Sequence, residues 1–193
     1  MAAWIGACGP SPGTLRGHSP GPTALVGHVT LPEVAPGEAA HPFPLRAPKG
    51  KLLYVYFGYT SCPDICPATL SDFRRALSLL GNDSTRVEVA LVTVDPSRDT
   101  AEVLAPYVRS FVPGAHALRP ATQAELALAE AAFGATSSVV RQPDGKIEVS
   151  HTSLGYLVDE GGHILVEWDF GAKPEDLAHD MKQLLAARGG LKP

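Results

Sequence analysis

The spacing of apolar positions changes sharply near residue 51. Residues 52–57 are nearly all apolar or aromatic, which is typical of a strand buried on both faces of a sheet. Residues 68–80 then carry apolar side chains at helical spacing, and Gly81-Asn82 follows as a stop signal. Residues 87–94 predict a second buried strand. The middle of the chain therefore begins with a strand–helix–strand unit.

Three further helices and a hairpin are predicted after residue 94. Two of the helices begin with a capping-box pattern, in which Asp or Thr is followed three residues later by Glu. Turn residues separate the two arms of the hairpin, and a proline opens the last helix. The predicted segments are helices over 99–111 and 122–133, strands over 153–158 and 163–170, and a helix from Pro174. With a short strand between the middle helices, this order predicts an α/β fold, a thioredoxin-like mixed sheet flanked by helices.

The first 50 residues carry nine of the 18 prolines and eight of the 19 glycines, so we expect an extended segment with little helix. Within it, residues 23–31 are apolar enough for an edge strand or one arm of a hairpin. Ile5-Gly6-Ala7-Cys8 resembles the end of a bacterial lipoprotein signal, which makes Cys8 either a lipid anchor or an incidental thiol. We expect a flexible tail or truncated anchor region over 1–21 and one thioredoxin-like domain over 22–193.

Composition and charge narrow the function classes. The chain has 193 residues, 45% of them apolar and 19% charged, which is enough for one domain with a core. A net charge of −4 gives no basic surface for a phosphate backbone, so we expect no nucleic-acid partner. No apolar run in the sequence is long enough to span a bilayer. Nothing in the sequence indicates an obligate dimer, so we expect a monomer. Three cysteines exclude a disulfide-rich scaffold but allow one reactive pair.

The candidate chemistry follows the first buried strand. Cys62 and Cys66 lie between that strand and the next helix, and ligands gather beyond the carboxyl ends of strands in such sheets. Pro67 has no N–H, so we expect it at the first helical position, with Cys66 at the helix cap. The helix dipole then favours thiolates, whereas the carboxylate of Asp64 opposes them.

Two thiols at this spacing allow three functions. A structural disulfide would close too small a loop to stabilise the fold much. A redox dithiol suits the fold, although such pairs usually have two intervening residues and this pair has three. A metal site needs further ligands, since zinc normally takes four, whereas Cu(I) is satisfied by thiolates with an imidazole.

One of the seven histidines stands out as a possible third ligand. His151 lies just before a predicted hairpin strand, in a segment that faces the dithiol on a thioredoxin-like fold. We expect the others in solvated or loop positions: His18, His28, His41, His116, His163 and His179. From the residues alone, His151 is either a metal ligand or an ordinary loop histidine.

Three segments together resemble the SCO/SenC family of copper proteins. They are VYFGYTSCPDICP over 55–67, VDPSRDT over 94–100 and VSHT over 149–152, and they occur in the order of the family's motifs. The resemblance extends over roughly residues 22–188 and is far more specific than a lone pair of cysteines. It implies a thioredoxin-like fold with an inserted β-hairpin, which residues 136–150 can supply.

The resemblance also implies a metal site. Family members bind one copper ion through two cysteines and one histidine, which correspond here to Cys62, Cys66 and His151. The ion is expected as Cu(I), with Cu(II) as a second state. Asp95 matches a family aspartate near the metal that would assist Cu(II) binding, and its alternative role is turn chemistry at a helix entry. We expect Asp64 to shape the loop or its electrostatics rather than to bind metal.

The function that the resemblance implies is that of a copper chaperone. The family helps to assemble the dinuclear copper site of cytochrome c oxidase subunit II, and another periplasmic copper chaperone is a further candidate partner. The alternative is a thiol–disulfide oxidoreductase that reduces the cysteines of that copper site with Cys62 and Cys66. Family members usually carry a membrane anchor, so the resemblance implies an extracytoplasmic, membrane-anchored protein.

Overall fold

The sheet determines where every other element lies. The structure, a computed structural model, describes residues 14–20 and 24–189. Its strands in this range are β1 Thr30–Glu33, β2 His41–Pro44, β3 Leu52–Gly58, β4 Val87–Thr93, β5 His116–Leu118, β6 Ser137–Arg141, β7 Ile147–His151, β8 Gly155–Val158 and β9 Ile164–Trp168. Seven of these described strands form one sheet in the order β2-β1-β5-β4-β3-β8-β9. The three central strands β3, β4 and β5 are parallel, and the strands outside them pair antiparallel, so the sheet is mixed.

Helices cover both faces of this sheet. The described α-helices are α1 Ile65–Leu80, α2 Ala101–Phe111, α3 Gln123–Phe133 and α4 Pro174–Gly189. Tyr54 and Phe57 point to opposite faces of β3, because they are an odd number of residues apart. Tyr54 stacks on Phe73 of α1 with 3.7 Å between ring centroids, and Phe57 meets Phe133 of α3 at 5.4 Å. The predicted α/β, thioredoxin-like mixed sheet flanked by helices is confirmed.

A small hairpin forms a sheet of its own. Strands β6 and β7 pair antiparallel, with Ser137 opposite His151. Most of their side chains are exposed, so the hairpin adds little to the core. Its base is closed where Thr152 N donates to Thr136 O at 2.9 Å and Thr136 N donates to Thr152 Oγ1 at 3.0 Å. The inserted hairpin is confirmed, and His151 is its last strand residue rather than part of a loop.

The N-terminal region differs from the prediction over 23–31. The first strand begins only at Thr30, where it pairs with β2 to extend the edge of the sheet. Residues 24–26 lie beside the start of β9 instead, and Leu25 and His163 form an isolated bridge there. Gly27 approaches Gly162 closely, since a Cβ on Gly27 would lie 2.9 Å from the Gly162 Cα. The expected tail over 1–21, with Cys8, lies mostly outside the described residues. No helix in the described ranges is long and apolar enough to cross a membrane.

The start of α1 is a correction. The helix begins at Ile65, so Cys66 lies in its first turn rather than at the cap, and Pro67 is the third helical residue. The N–H groups of the first turn have no acceptor within a helix, so a proline there removes no hydrogen bond. The carbonyl that its ring would crowd belongs to Pro63, which lies outside the helix.

The start of α2 is a second correction. Asp99 does not cap this helix, which begins at Ala101 after Thr100, and the buried Asp99 carboxylate bonds to two other elements. The second predicted capping box does form, because Glu125 N donates to Thr122 Oγ1 at 3.1 Å.

Candidate metal centre

Three soft or nitrogen donors meet at one end of the sheet. Cys62 lies in the loop after β3, Cys66 in the first turn of α1, and His151 at the end of β7. The two Sγ atoms and a ring nitrogen of His151 all lie within 4.8 Å of one another. In the described part of the chain, no other group of three His, Cys, Asp or Glu side chains meets in this way. The structure thus brings together the two thiols and the imidazole.

The loop geometry follows from the helix start. The N–H of Cys66 lies in the first helical turn and has no acceptor within the helix. It donates to Cys62 Sγ at 3.3 Å, so this sulfur takes the place of a side-chain cap. Gly58, the last residue of β3, packs against Cys66. A Cβ at this position would lie 3.1 Å from Cys66 Sγ and 2.9 Å from the Tyr56 ring, so only glycine leaves the buried thiol its space.

His151 is held in one orientation. Its Nδ1 lies 2.9 Å from the carbonyl oxygen of Thr152, which can only accept, so Nδ1 carries the proton. Nε2, the other ring nitrogen, faces Cys66 Sγ at 3.7 Å. The rings of Tyr56 and Tyr59 meet the imidazole edge to face at 6.1 and 5.8 Å. A fixed tautomer with one free nitrogen is the form in which histidine binds a metal.

The two thiols have opposite acidities. Burial acts to raise the pKa of Cys62, but hydrogen bonds from the N–H groups of Cys66 and Asp64 and from the Tyr59 hydroxyl outweigh it, and the net pKa is lowered. Cys66 is fully buried, and that burial raises its pKa to about 12, with the adjacent Cys62 sulfur adding to the effect. Cys62, which is partly exposed, is therefore the more readily ionised and more accessible sulfur.

Asp95 and Asp64 lie in different surroundings. Asp95 is almost fully buried, and its carboxylate accepts from Ser97 Oγ at 2.8 Å and from Arg98 Nε. It does not belong to the cluster of three donors. Asp64 is exposed at the N-cap of α1, where its side chain makes no capping hydrogen bond. Its contribution to the site is the backbone N–H that faces Cys62.

Sequence reasoning missed three residues that shape this site. Tyr56 donates to Cys66 Sγ at 3.8 Å from beneath, and Asp99 binds the loop that carries Cys62. In the sequence, Gly58 stands out only as part of the motif over 55–67. A glycine directly after a fully buried strand was the available signal for a close approach, whereas Tyr56 and Asp99 carried no signal that separates them from core and capping residues.

The other histidines lie away from the thiols. Four are exposed, as expected: His18, His28, His41 and His163. His179 is half-buried, with Nδ1 3.0 Å from Asp180. His116 was expected in a loop but lies in β5, where its two ring nitrogens face Glu33 at 2.9 Å and Glu88 at 3.4 Å.

The donor set suits copper better than zinc. Two thiolates and an imidazole are the soft ligands that Cu(I) prefers, and three ligands satisfy it. Zinc would normally take a fourth ligand, and the described residues place no further His, Cys, Asp or Glu in the cluster. The residues present therefore fit a copper ion.

Comparisons with known proteins agree with the geometry. The chain is 31% identical over 134 residues to the SCO2-like protein RP587 of Rickettsia prowazekii, which covers 65% of this chain and 62% of that protein. The chain thus spans about three fifths of the length of such relatives.

Solved structures also match. A structure of Bradyrhizobium japonicum ScoI with copper bound is 30% identical, with a TM-score of 0.67, and covers 80% of this chain and 96% of that one. BsSco, described with a disulfide switch as a member of the Sco family of cytochrome c oxidase assembly proteins, shares the fold at 21% identity with a TM-score of 0.58, covering 87% and 96%. The SCO1/SenC family model matches residues 38–186. With this fold and this cluster of donors, the chain belongs to the SCO1/SenC family.

Proposed function

We propose that the protein is a copper chaperone that binds one copper ion and helps to assemble the dinuclear copper site of cytochrome c oxidase subunit II. The observation that carries this proposal is that Cys62 Sγ, Cys66 Sγ and a ring nitrogen of His151 all lie within 4.8 Å of one another. The copper-bound relative from Bradyrhizobium supports the metal. The association of the Sco family with oxidase assembly supports the client.

Copper binding exchanges protons for metal at this site. Both thiols must ionise to act as ligands, and Cys66 with its raised pKa is protonated in the apo protein near neutral pH. His151 presents Nε2 to the site, while its Nδ1 stays on the Thr152 carbonyl oxygen. Loading with Cu(I) therefore releases protons, chiefly from the Cys66 thiol.

Three ligands leave the ion open to a partner. Cys62 is the more exposed of the two sulfurs, so an incoming thiolate from subunit II meets the site on that side. As the client's ligands bind the ion, its bonds to Cys62, to His151 and to the buried Cys66 would break in turn, and the released Cys66 thiolate would take up a proton. No change in the oxidation state of copper is needed for this transfer.

The transfer is tested directly with the soluble copper domain of subunit II. The Cu(I)-loaded protein is added anaerobically to the reduced apo domain, the mixture is reoxidised, and the absorption of the dinuclear copper site is measured. We expect the site to fill from wild type but not from Cys62→Ser, while His163→Ala, which alters an exposed histidine far from the thiols, behaves as wild type. No transfer from loaded wild type would contradict the chaperone function.

A second candidate function is thiol–disulfide exchange with the same client, favoured by the unequal acidities of the two thiols. The Cys62 thiolate would attack the client's disulfide, which forms a mixed disulfide and releases one client thiol. Cys66 would then attack Cys62 Sγ and release the second client thiol. The client's disulfide is reduced to two thiols, and Cys62 and Cys66 are oxidised to a disulfide. His151→Ala separates the two functions, since it removes a copper donor but neither thiol. The reductase is supported if this variant still reduces an oxidised client peptide at the wild-type rate.

We further propose an extracytoplasmic, membrane-anchored location, a monomeric state and copper loading by another periplasmic copper chaperone. The Cys8 motif and the family resemblance support the location. Expression of the full coding sequence with and without Cys8→Ser, followed by membrane fractionation, tests the anchor. Retention at the membrane that is independent of Cys8 would exclude lipidation there.

A further inference from the structure

A buried carboxylate lies behind the cysteine loop. Asp99 is almost completely inaccessible to solvent and comes just before α2. Its Oδ1 accepts from the Thr60 hydroxyl at 2.5 Å, and its Oδ2 accepts from Thr60 N at 3.1 Å and from the Thr93 hydroxyl at 2.6 Å. One side chain therefore joins the loop that carries Cys62, the end of β4 and the entrance to α2.

The position of Thr60 makes this junction relevant to the site. Thr60 lies two residues before Cys62, on the turn in which Cys62 N donates to Tyr59 O at 3.4 Å. The other two donors are fixed independently, Cys66 by helix α1 and His151 by the hairpin base. The position of Cys62 relative to the other two donors therefore depends on the contacts that hold this loop, and Asp99 supplies such contacts through Thr60.

The energetics favour a rigid link. Breaking the hydrogen bonds of this buried carboxylate would lower the stability of the fold, because a buried polar or charged group without partners is costly. Among the described residues, three uncharged groups donate hydrogen bonds to this carboxylate, and two of these donors, the N–H and the hydroxyl, belong to Thr60. Displacement of the loop would leave the carboxylate with the Thr93 hydroxyl as its remaining partner in this network.

We propose that Asp99 is a positioning residue that holds Cys62 in register with Cys66 and His151 through Thr60. Its carboxylate bonds to Thr60 and Thr93 rather than to either thiol. For copper this inference rests on the proposed function, whereas for the reactivity of the dithiol it does not. Loosening the loop lowers the local concentration of one sulfur with respect to the other, so both copper binding and disulfide closure weaken.

The test uses variants from both ends of the link. In Asp99→Asn an amide replaces one acceptor, and in Thr60→Val the hydroxyl is lost. We expect each to weaken Cu(I) affinity about tenfold and to lower the Cys62–Cys66 disulfide equilibrium constant against glutathione severalfold. The double variant is expected to lose no more than either alone, because both break one interaction. Thr60→Ser, which keeps the hydroxyl and the amide, is expected to restore both quantities.

Asp180→Asn is the matched control. Asp180 is another fully buried carboxylate, which accepts from Arg16 N and Gly17 N at 2.9 Å and from Trp168 Nε1 at 3.0 Å, at the far side of the sheet. It should lower stability in urea without altering either measurement. Wild-type values of both in Asp99→Asn and Thr60→Val would overturn the inference, and Thr60→Val decides if Asp99→Asn does not fold. If wild type did not bind copper, the chaperone proposal would be wrong. The disulfide equilibrium with glutathione would still test the positioning role of Asp99.

Discussion

At the scale of single residues, the two cysteines are chemically unequal although only three residues separate them. Cys62 is partly exposed with a lowered pKa, and Cys66 is fully buried with a pKa of about 12. The difference arises from the first turn of α1, whose free N–H groups point at Cys62 while Cys66 faces the core. Reactivity and metal binding should both reflect this inequality.

The first prediction concerns alkylation. At pH 7.5 iodoacetamide should modify Cys62 before Cys66, since the thiolate is the nucleophile and the thiol must be accessible. In Cys66→Ser, Cys62 should react at about the wild-type rate, whereas in Cys62→Ser, Cys66 should react at least about tenfold more slowly than Cys62 does in wild type, with Cys8 followed separately. Mass spectrometry of timed samples gives both rates. Equal rates in the two variants would mean that the acidities are not as the structure has them.

The second prediction concerns pH. The Cys66 thiol stays protonated up to a pKa of about 12, so Cu(I) must displace its proton throughout the range from 7 to 9. Metal affinity should therefore rise with pH, by about tenfold per unit for that one proton. A titration against a Cu(I) chelator whose own pH dependence is known measures the slope. In Cys66→Ser the slope should fall by about one proton, and an unchanged slope would contradict the assignment.

At the scale of elements, the strand–loop–helix unit builds the site by close packing. Gly58 ends β3 where a Cβ would press on Cys66 Sγ and on the Leu91 side chain, at 3.1 and 3.2 Å. The third prediction is that Gly58→Ala costs about 1–3 kcal/mol of stability from overpacking and weakens Cu(I) binding by displacing Cys66. Urea denaturation and a chelator titration measure the two effects.

Gly17→Ala is its control, because a Cβ there would lie 2.5 Å from Val166 Cγ2, at the edge of the sheet formed by β9. It should lower stability by a comparable amount and leave copper affinity unchanged. If the two variants alter copper affinity equally, the loss reflects general destabilisation rather than contact with Cys66.

The hairpin is a second element with a separable role. Its side chains are mostly exposed, so its removal should change the free energy of unfolding by less than about 1 kcal/mol. The fourth prediction is that replacing residues 137–150 with Asn-Gly preserves this stability but weakens copper binding, because His151 then loses its strand pairing with Ser137. A large loss of stability, or unchanged copper affinity, would show that the hairpin has a different role.

Periodicity was sufficient to predict the buried strands and most helices, because those segments bury one continuous face. It failed at the helix starts, where tertiary contacts decide. The pattern predicts Pro67 at the first helical position, but any position of the first turn tolerates a proline, because the N–H groups there have no acceptor within the helix. Asp99 has the sequence of a cap, yet its carboxylate is more stable when it bonds to Thr60 and Thr93 in the interior.

At the scale of the whole molecule, the three candidate copper ligands lie together at one end of the central sheet. The proximity of Cys62, Cys66 and His151, which are up to 89 residues apart in sequence, follows from the parallel strands and the inserted hairpin. The motifs were sufficient to name these side chains. They were not sufficient to predict the tautomer of His151 or the unequal thiols, because both depend on backbone groups that only the folded chain brings near.

The central claim is that His151 joins the two thiols in one copper site. An anaerobic Cu(I) competition titration of reduced wild type and His151→Ala tests it most directly, with the exposed His163→Ala as control. The account predicts one tightly held equivalent in wild type and in the control, and an affinity weakened by about 100-fold or more in His151→Ala, since a direct ligand should matter at least as much as its outer neighbours. Equal affinity in all three proteins would remove His151 from the site and leave the protein as a dithiol.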